Sequence, residues 1–228
     1  MVLGDFVKLT KRLEAIARLV EPGAIVVDIG SDHGYLPIYL LVNKVIKYAY
    51  ACDVREGPLA SARKHAQKYQ VDLHCILSDG LINLKKVTFD TIVIAGMGGT
   101  LLTSLLSADL PLIKNKKLIL QPQNNSKKLR TFLVENNIKI TKEVLVKENG
   151  IIYTIIVCEG TECQDYAEKE LFYGRRDIVN DRRLLSEVLA RDLIKNKRLL
   201  NSVPSANERR IFFNKRIELI EGYLNEIK

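Results

Sequence analysis

The 228 residues are 47% hydrophobic and 27% charged, with a formal net charge of +8 and a pI near 9.2. This is ordinary globular composition, enough for one full-sized domain with an appendage or for two small domains, with no repeat or low-complexity tract. No apolar run approaches the roughly eighteen residues of a membrane span, and "MVLGDFVKLTKRLEAIARLV" lacks the layout of a signal peptide.

A cytoplasmic chain with no membrane partner is therefore expected. Cys52, Cys75, Cys158 and Cys163 show no CxxC spacing, and three of them lie in apolar strand-like runs. Buried reduced thiols fit that pattern better than disulfides or zinc, and no metal is expected. Residues 1–160 hold 21 Lys and Arg against 15 Asp and Glu, and residues 161–228 hold 14 against 12. If a polyanion binds, the first part supplies most of the field.

Leu9, Leu13, Ile16 and Val20 recur at helical spacing behind Thr10, giving an amphipathic opening helix. "GAIVVDIG" is a continuous apolar run ending in glycine, suited to a strand buried on both faces. A helix over about 36–44 follows, then "YAYACDV" as strand, "GPLASARKHAQKY" as helix and "DLHCILSDG" as strand. Next come "FDTIVIAGMGG" as strand and loop, "TLLTSLLSAD" as helix, "KKLILQPQ" as strand and "SKKLRTFLVENN" as helix. "IKITKEVLVKENG" and "IIYTIIVCEG" close the series as a hairpin turning at Glu148, Asn149 and Gly150. Alternating strands and helices predict an α/β, doubly wound, mostly parallel sheet, with the final hairpin adding an antiparallel strand at one edge.

After about residue 160 the pattern turns to long charged helices. Leu185, Val188 or Leu189, Leu193 and Leu199 or Leu200 mark one. Phe213, Ile217, Ile220, Leu224 and Ile227 mark the next at coiled-coil spacing, with "NSVPSAN" as the turn between. The expected division is an α/β domain over 1–160 and a helical coiled-coil hairpin over 161–228.

The loop after the first strand bears on function. A dinucleotide fold wants G-x-G-x-x-G here, but Gly30-Ser31-Asp32-His33-Gly34 puts Asp32 at the middle glycine. A carboxylate about 4 Å from a phosphate costs roughly 4 kcal/mol at an intermediate dielectric, so phosphorylated cofactors are disfavoured. S-adenosylmethionine carries a sulfonium cation and no phosphate. Asp28-x-Gly30-x-Asp32-x-Gly34 departs from its usual loop only at the middle position; a plain strand-to-helix turn capped by Asp32 is the other reading. Asp53 ends the second strand, where an acid can accept ribose hydroxyls. Asp79-Gly80 ends the third, where a carboxylate can accept from the adenine amine. Each acid alone suits a turn equally well; together they point into one crevice.

After the fourth strand, Ala95-Gly96-Met97-Gly98-Gly99 carries neither the Pro-Pro-aromatic nor the Pro-Cys motif found in base methyltransferases. Glycines there bring bare backbone close to a flat ligand, or simply permit a turn. Gln121 and Asn124, at the end of the fifth strand, could meet a base edge or cap the next helix.

"KLTKRL", "DIGSDHGYLP", "SDGL", "IAGMGG" and "LILQP", in this order and followed by a helical tail, resemble the bacterial tRNA adenine-N1 methyltransferase family that modifies adenine 22. The resemblance covers residue 8 to about 160. It implies a Rossmann-like fold, S-adenosylmethionine as donor, tRNA as substrate and 1-methyladenosine as product. The family's cofactor loop falls on Asp28, Gly30, Asp32, His33 and Gly34, its substrate loop on Gly96 to Gly99, and its fifth-strand motif on Gln121 and Pro122. The family usually has Asn after that proline, where this chain has Gln123 and then Asn124. "YGRRDIVNDRR" also departs from the family's opening of the tail.

Adenine N1 can attack without prior deprotonation, and the product ring becomes cationic, so the useful group is an anion or carbonyl facing that charge. Asp32 is assigned the role; Ser31 and His33 are counted with the cofactor loop, His33 supporting it or simply packing. The base must be exposed or flipped, and Tyr35 or Tyr153 could stack on it. Lys11, Arg12, Arg175 and Arg176 are candidate tRNA contacts in a basic groove between domain and tail, or else ion-paired helix surface. A monomer is expected. The competing readings are a methyltransferase on another RNA or small molecule, and a non-catalytic RNA-binding protein with this fold.

Overall fold

The computed structural model describes residues 7–204 and 207–227; Ser205 and Ala206 of the expected "NSVPSAN" turn lie outside them. Thr10 caps α1 (Lys11–Ala17), accepting from the Leu13 amide. There follow β1 (Ile25–Ile29), α2 (Tyr35–Val42), β2 (Tyr48–Asp53), α3 (Glu56–Tyr69), β3 (His74–Leu77), β4 (Thr91–Met97) and α4 (Gly99–Ser107). A four-residue helix α5 (Leu110–Ile113), β5 (Lys117–Pro122), α6 (Ser126–Glu135), β6 (Ile138–Glu148) and β7 (Ile151–Thr161) complete this part. The short α5 and a single helical turn at Ile82–Leu84 had no counterpart in the sequence pattern.

The seven strands form one sheet in the order β3-β2-β1-β4-β5-β7-β6, and the first five are parallel. Each central strand buries neighbours on opposite faces. Val27, Ile92 and Leu118 meet α4 and α6 on one side; Val26, Val93 and Ile119 meet α1, α2 and α3 on the other. That two-sided burial is why these strands read as unbroken apolar runs.

The final strand is antiparallel, as expected, but does not lie at the edge. β7 inserts between β5 and β6, pairing antiparallel with both, and β6 is outermost. β7 buries Ile155 to Cys158 continuously, whereas β6 alternates buried and half-exposed positions.

The open side of β6 is partly covered by the start of the tail. The Glu143 amide donates to the Ile178 carbonyl at 3.0 Å, the Asn180 amide to the Glu143 carbonyl at 3.0 Å, and the Leu145 amide to the Asn180 side chain at 2.7 Å. These bonds blunt an edge that would otherwise template pairing with another chain. Beneath them, Arg130 of α6 grips Glu143, and its Nη1 donates to the Leu171 and Phe172 carbonyls of α7 (Glu168–Tyr173). Arg130 is 1% exposed and Glu143 fully buried.

α8 (Arg182–Ser202) and α9 (Arg209–Ile227) then fold back on each other. Arg210 donates to the Leu200 and Val203 carbonyls, closing the end of α8. Leu185, Leu189, Phe213, Ile217, Ile220 and Ile227 are buried, but Leu193 and Leu200 are only half-buried, Leu199 is exposed, and Tyr223 is buried in place of Leu224. The Tyr223 hydroxyl donates to the Gly174 carbonyl at 2.6 Å, so α9 packs on the α7 connection as well as on α8 and departs from a simple two-helix seam. Among the described residues, no helix is long and apolar enough to cross a membrane.

Removing one partner of a buried ion pair strands the other charge. Glu143→Ala is expected to lower unfolding free energy by about 3–5 kcal/mol, measured by urea denaturation; a loss below about 1 kcal/mol would contradict the latch.

Candidate active site

The turn from β1 to α2 is built from backbone that few residues tolerate. Gly30, Asp32 and Gly34 have φ of 71°, 41° and 71°, so left-handed residues alternate along it. The Gly30 and Ser31 amides both donate to the Cys52 carbonyl at the end of β2, at 2.8 and 3.1 Å. A Cβ on Gly30 would lie 2.2 Å from Met97 Cε, and one on Gly34 3.0 Å from Ala62 Cβ. Asp32 is tolerated because aspartate adopts left-handed backbone more readily than most side chains.

Below this turn Asp28 is 6% exposed and accepts from the Ser31 hydroxyl at 2.5 Å. Burial pushes its carboxyl up to about 6, against the smaller opposing effect of the Ser31 bond. Asp28 thus supports the turn from beneath and does not line the crevice above.

That crevice, about 360 Å³, opens at the carboxyl ends of β1 to β4 and is lined by Gly30, Asp32, Asp53, Asp79, Gly96 and Met97, among others. Asp53 is buried, with Oδ1 accepting from the Arg55 amide at 2.9 Å, while Asp32 and Asp79 are exposed. Gly80 and Ala95 also line it, and a Cβ on Gly80 would lie 2.6 Å from Leu105 Cδ2. The cavity therefore gathers three carboxylates around bare backbone and two apolar side chains of α4, Leu101 and Leu105. Arg55 is the one Lys or Arg in the lining, with its guanidinium 3.7 Å from Asp53 and its side chain 72% exposed.

Such a pocket favours a cationic ligand with an apolar, planar part and opposes phosphates. S-adenosylmethionine fits this donor set. Leu101, Leu105, Val54, Arg55 and Ser78 were missed from sequence. The readable signal was "TLLTSLL", whose Leu101/Leu105 pair lies one position off the buried Leu102/Leu106 pair.

His33 and Tyr35 turn away from the cavity. Tyr35 stacks on His65 with centroids 5.1 Å apart, the His33 carbonyl lies 3.0 Å from His65 Nδ1, and His33 Nε2 lies 3.6 Å from Asp32.

The neighbouring wall is made by the ends of β4 and β5. A register shift between Ala95 and Met97 leaves Gly96, with φ 81°, out of the ladder, and its amide donates instead to Gln121 Oε1 at 3.1 Å. Arg12 of α1 donates to the same oxygen, and Gln121 Nε2 donates to the Pro122 carbonyl at 2.8 Å. Gln121, fully buried, is thus a brace for the loop, neither a base reader nor a helix cap. The Asn124 carbonyl accepts from the Gly99 amide at 3.0 Å, and its exposed side chain lies against Gly98. A Cβ on Gly99 would lie 2.5 Å from the Asn125 carbonyl oxygen, which explains glycine there. Arg12 also sits 5.4 Å from the centre of the Tyr153 ring, so Tyr153 is covered from that side.

Three predicted contacts lie elsewhere. Lys11 lines a groove between α1 and β6, Arg175 is paired with Asp177, and Arg176 donates to the Glu226 carbonyl near the end of α9. None of the three lines the crevice; they were expected in a groove between domain and tail, and Lys11 lies in one that Asn180 also lines.

A model of the methyltransferase domain family matches residues 9–156. The tRNA (adenine(22)-N(1))-methyltransferase of Bacillus subtilis is 37% identical over 156 residues, 67% of this chain and 66% of that protein, just under two thirds of its length. The chain belongs to this methyltransferase family.

Solved relatives agree over nearly the whole chain. Mycoplasma capricolum TrmK in complex with S-adenosyl-homocysteine superposes with a TM-score of 0.88 at 30% identity, covering 96% of this chain and 99% of that one. A putative tRNA (m1A22) methyltransferase of Streptococcus pneumoniae in complex with S-adenosyl-L-methionine gives 0.84 at 31%, covering 95% and 100%. S-adenosylmethionine is the cofactor of the family.

The buried Asp28 gives a pH test. From about pH 4 to about 6 the folded chain holds a proton that the unfolded chain has released, so this group's contribution to stability falls as pH rises through that window. The fall is roughly 3 kcal/mol in all. Asp28→Asn is expected to gain stability relative to the parent from pH 4 to 6 and to run parallel above it. Urea midpoints differing by the same amount at every pH would contradict the assignment.

Proposed function

We propose that the crevice transfers a methyl group to N1 of adenine 22 in tRNA, with Asp32 as the group facing the reacting base. The convergence of Asp32, Asp53 and Asp79 in one cavity carries this reading, because it suits a cationic methyl donor and rejects a phosphorylated cofactor. Bound S-adenosylmethionine supplies an electrophilic methyl group on a sulfonium. Asp53, buried at the end of β2, is assigned to the ribose hydroxyls, and Asp79 with the Gly80 backbone to the adenine edge. Asp28, Ser31 and Gly34 keep the turn in shape, and His33 steadies it through its carbonyl contact to His65.

Adenine N1 uses its own lone pair, so no general base is required. The chain's task is to align the base and to offset the positive charge that grows on the ring. Asp32, on the rim with its side chain 67% exposed, can face that charge and accept from the exocyclic amine. Gly96 to Gly99 provide a flat backbone wall for the base, and Asn124 supplies the free amide beside it. Arg12 braces this wall and is assigned a second role at its rim toward the tRNA backbone. Residues 1–160 are taken as the catalytic part and 161–228 as the part that helps hold tRNA, acting as a monomer in the cytoplasm.

Asp32→Asn keeps the shape and removes the charge. It is expected to lower kcat by about 10² or more while tRNA and cofactor affinities stay within a few fold. The readout is methyl transfer to unmodified tRNA, with the modified base mapped by mass spectrometry; near-normal turnover would remove the assignment. Asp79→Ala is expected to weaken S-adenosylmethionine binding by roughly tenfold or more, measured by calorimetry, and unchanged affinity would contradict the adenine contact.

A further inference from the structure

A larger cavity, about 520 Å³, lies where the start of α6, the β6–β7 hairpin, α7 and the two tail helices meet. Ile152 and Thr154 line it, whereas Tyr153 between them points to the other face of the sheet, toward Arg12. Its floor is apolar, with Leu145, Ile152 and Leu185, and its walls carry Lys127, Lys195 and Arg216.

The cations crowd one wall of the groove. The Arg216 guanidinium lies 3.2 Å and the Lys127 ammonium 3.8 Å from the centre of one ring, Phe172, so two like charges are gathered on a single side chain. Arg216 Nη2 reaches Asp192 at 3.3 Å, but its Nη1 is buried and has no acceptor. An unsatisfied buried guanidinium N–H is costly. Asp192 is already engaged by the Tyr173 hydroxyl, Glu168 lies 3.5 Å from Lys127, and Glu187 is taken by Lys147 and Arg191. Lys195 is exposed and makes no ion pair among the described residues.

We propose that this groove holds a phosphodiester of the tRNA backbone, outside the reacting nucleotide; the inference rests on the tRNA reading above. A phosphate offers several acceptor oxygens to Lys195 and Lys127 at once, beside the Arg216 charge, a charge-assisted arrangement suited to such an anion. The two cations on Phe172 occupy the ring, so the groove grips backbone and does not stack a base; recognition here is independent of sequence. The groove is also within reach of the crevice. Asn125 lines it, and the preceding residue, Asn124, lies against Gly98 on the substrate wall, so one RNA strand can run from wall to groove. The catalytic part supplies Lys127 and the tail supplies Lys195 and Arg216, so the site exists only when the tail is docked.

The test uses the full chain with Lys127→Gln, Lys195→Glu and the double variant; Arg216 is left intact because it packs on Phe172. Binding to an unmodified tRNA transcript is measured between about 50 and 200 mM salt, beside methylation kinetics and thermal melting. The expected result for Lys195→Glu is a roughly tenfold loss of tRNA affinity at low salt, with the slope of log affinity against log salt reduced by about one. KM for tRNA rises to match, kcat at saturating tRNA stays within about twofold, and the melting temperature is held. The double variant loses more. Parent-like affinity and slope in the double variant, with the parent methylating adenine N1 normally, would overturn the groove and leave the function standing. A parent that binds tRNA through these lysines but leaves adenine unmethylated would overturn the function and leave the groove. Loss of polyglutamate binding in the double variant, with tRNA affinity unchanged, would assign the groove to an acidic protein segment and end the proposal.

Discussion

The site depends on a turn that cannot be relaxed. Between β1 and α2 the backbone passes through left-handed conformations at Gly30, Asp32 and Gly34. Glycine occupies the two left-handed positions packed against Met97 and Ala62, and the open middle position carries aspartate. A left-handed L-residue costs of order 1–2 kcal/mol, and strain of that kind persists where the surroundings over-determine it. Here two amides of the turn share the Cys52 carbonyl, and a buried Asp28–Ser31 bond holds it from below. The result is a carboxylate fixed at the crevice rim with no side-chain rearrangement needed to present it.

The parallel strands were legible because burial on both faces makes each a continuous apolar run, and acids at their carboxyl ends point by topology into one place. Strand order within the final hairpin follows the same logic, although it was read as adding its antiparallel strand at the edge. "IIYTIIVC" is apolar without interruption and belongs inside, while "IKITKEVLVKE" alternates and belongs outside. What sequence could not convey is where a polar side chain spends its hydrogen bonds. Gln121 looked like a base reader because an amide matches a base edge. It is consumed instead by a bulge in β4 that strands the Gly96 amide, and a register shift leaves no local mark. For Arg175 and Arg176 the alternatives were a tRNA contact or an ion-paired surface, and their partners, Asp177 and the Glu226 carbonyl, are set by the path of the tail.

The stretch "YGRRDIVNDRR" has a structural use. Ile178 to Asn180 attach to the free side of β6, and Gly174, with φ 90°, brings the chain against Glu143, where a Cβ would lie 2.6 Å from Oε2. A buried Arg130–Glu143 pair is a poor source of net stability. It is well suited to fixing one docking geometry, because every alternative leaves a charge or a carbonyl unpaired.

That geometry bears on the chemistry through α6. The residues that open this helix, Asn124 and Asn125, close over Gly99 and define the substrate wall. About one turn into it, Arg130 holds Glu143 and the carbonyls of α7. A helix is stiff over so short a span, so the wall and the tail latch are two ends of one rigid element. A shift of the tail that moved Arg130 would move Asn124 with it. The phosphate grip at Lys195 lies beyond that helix and adds affinity alone, whereas a tail loosened at Glu143 shifts the helix itself and is expected to lose turnover as well as affinity.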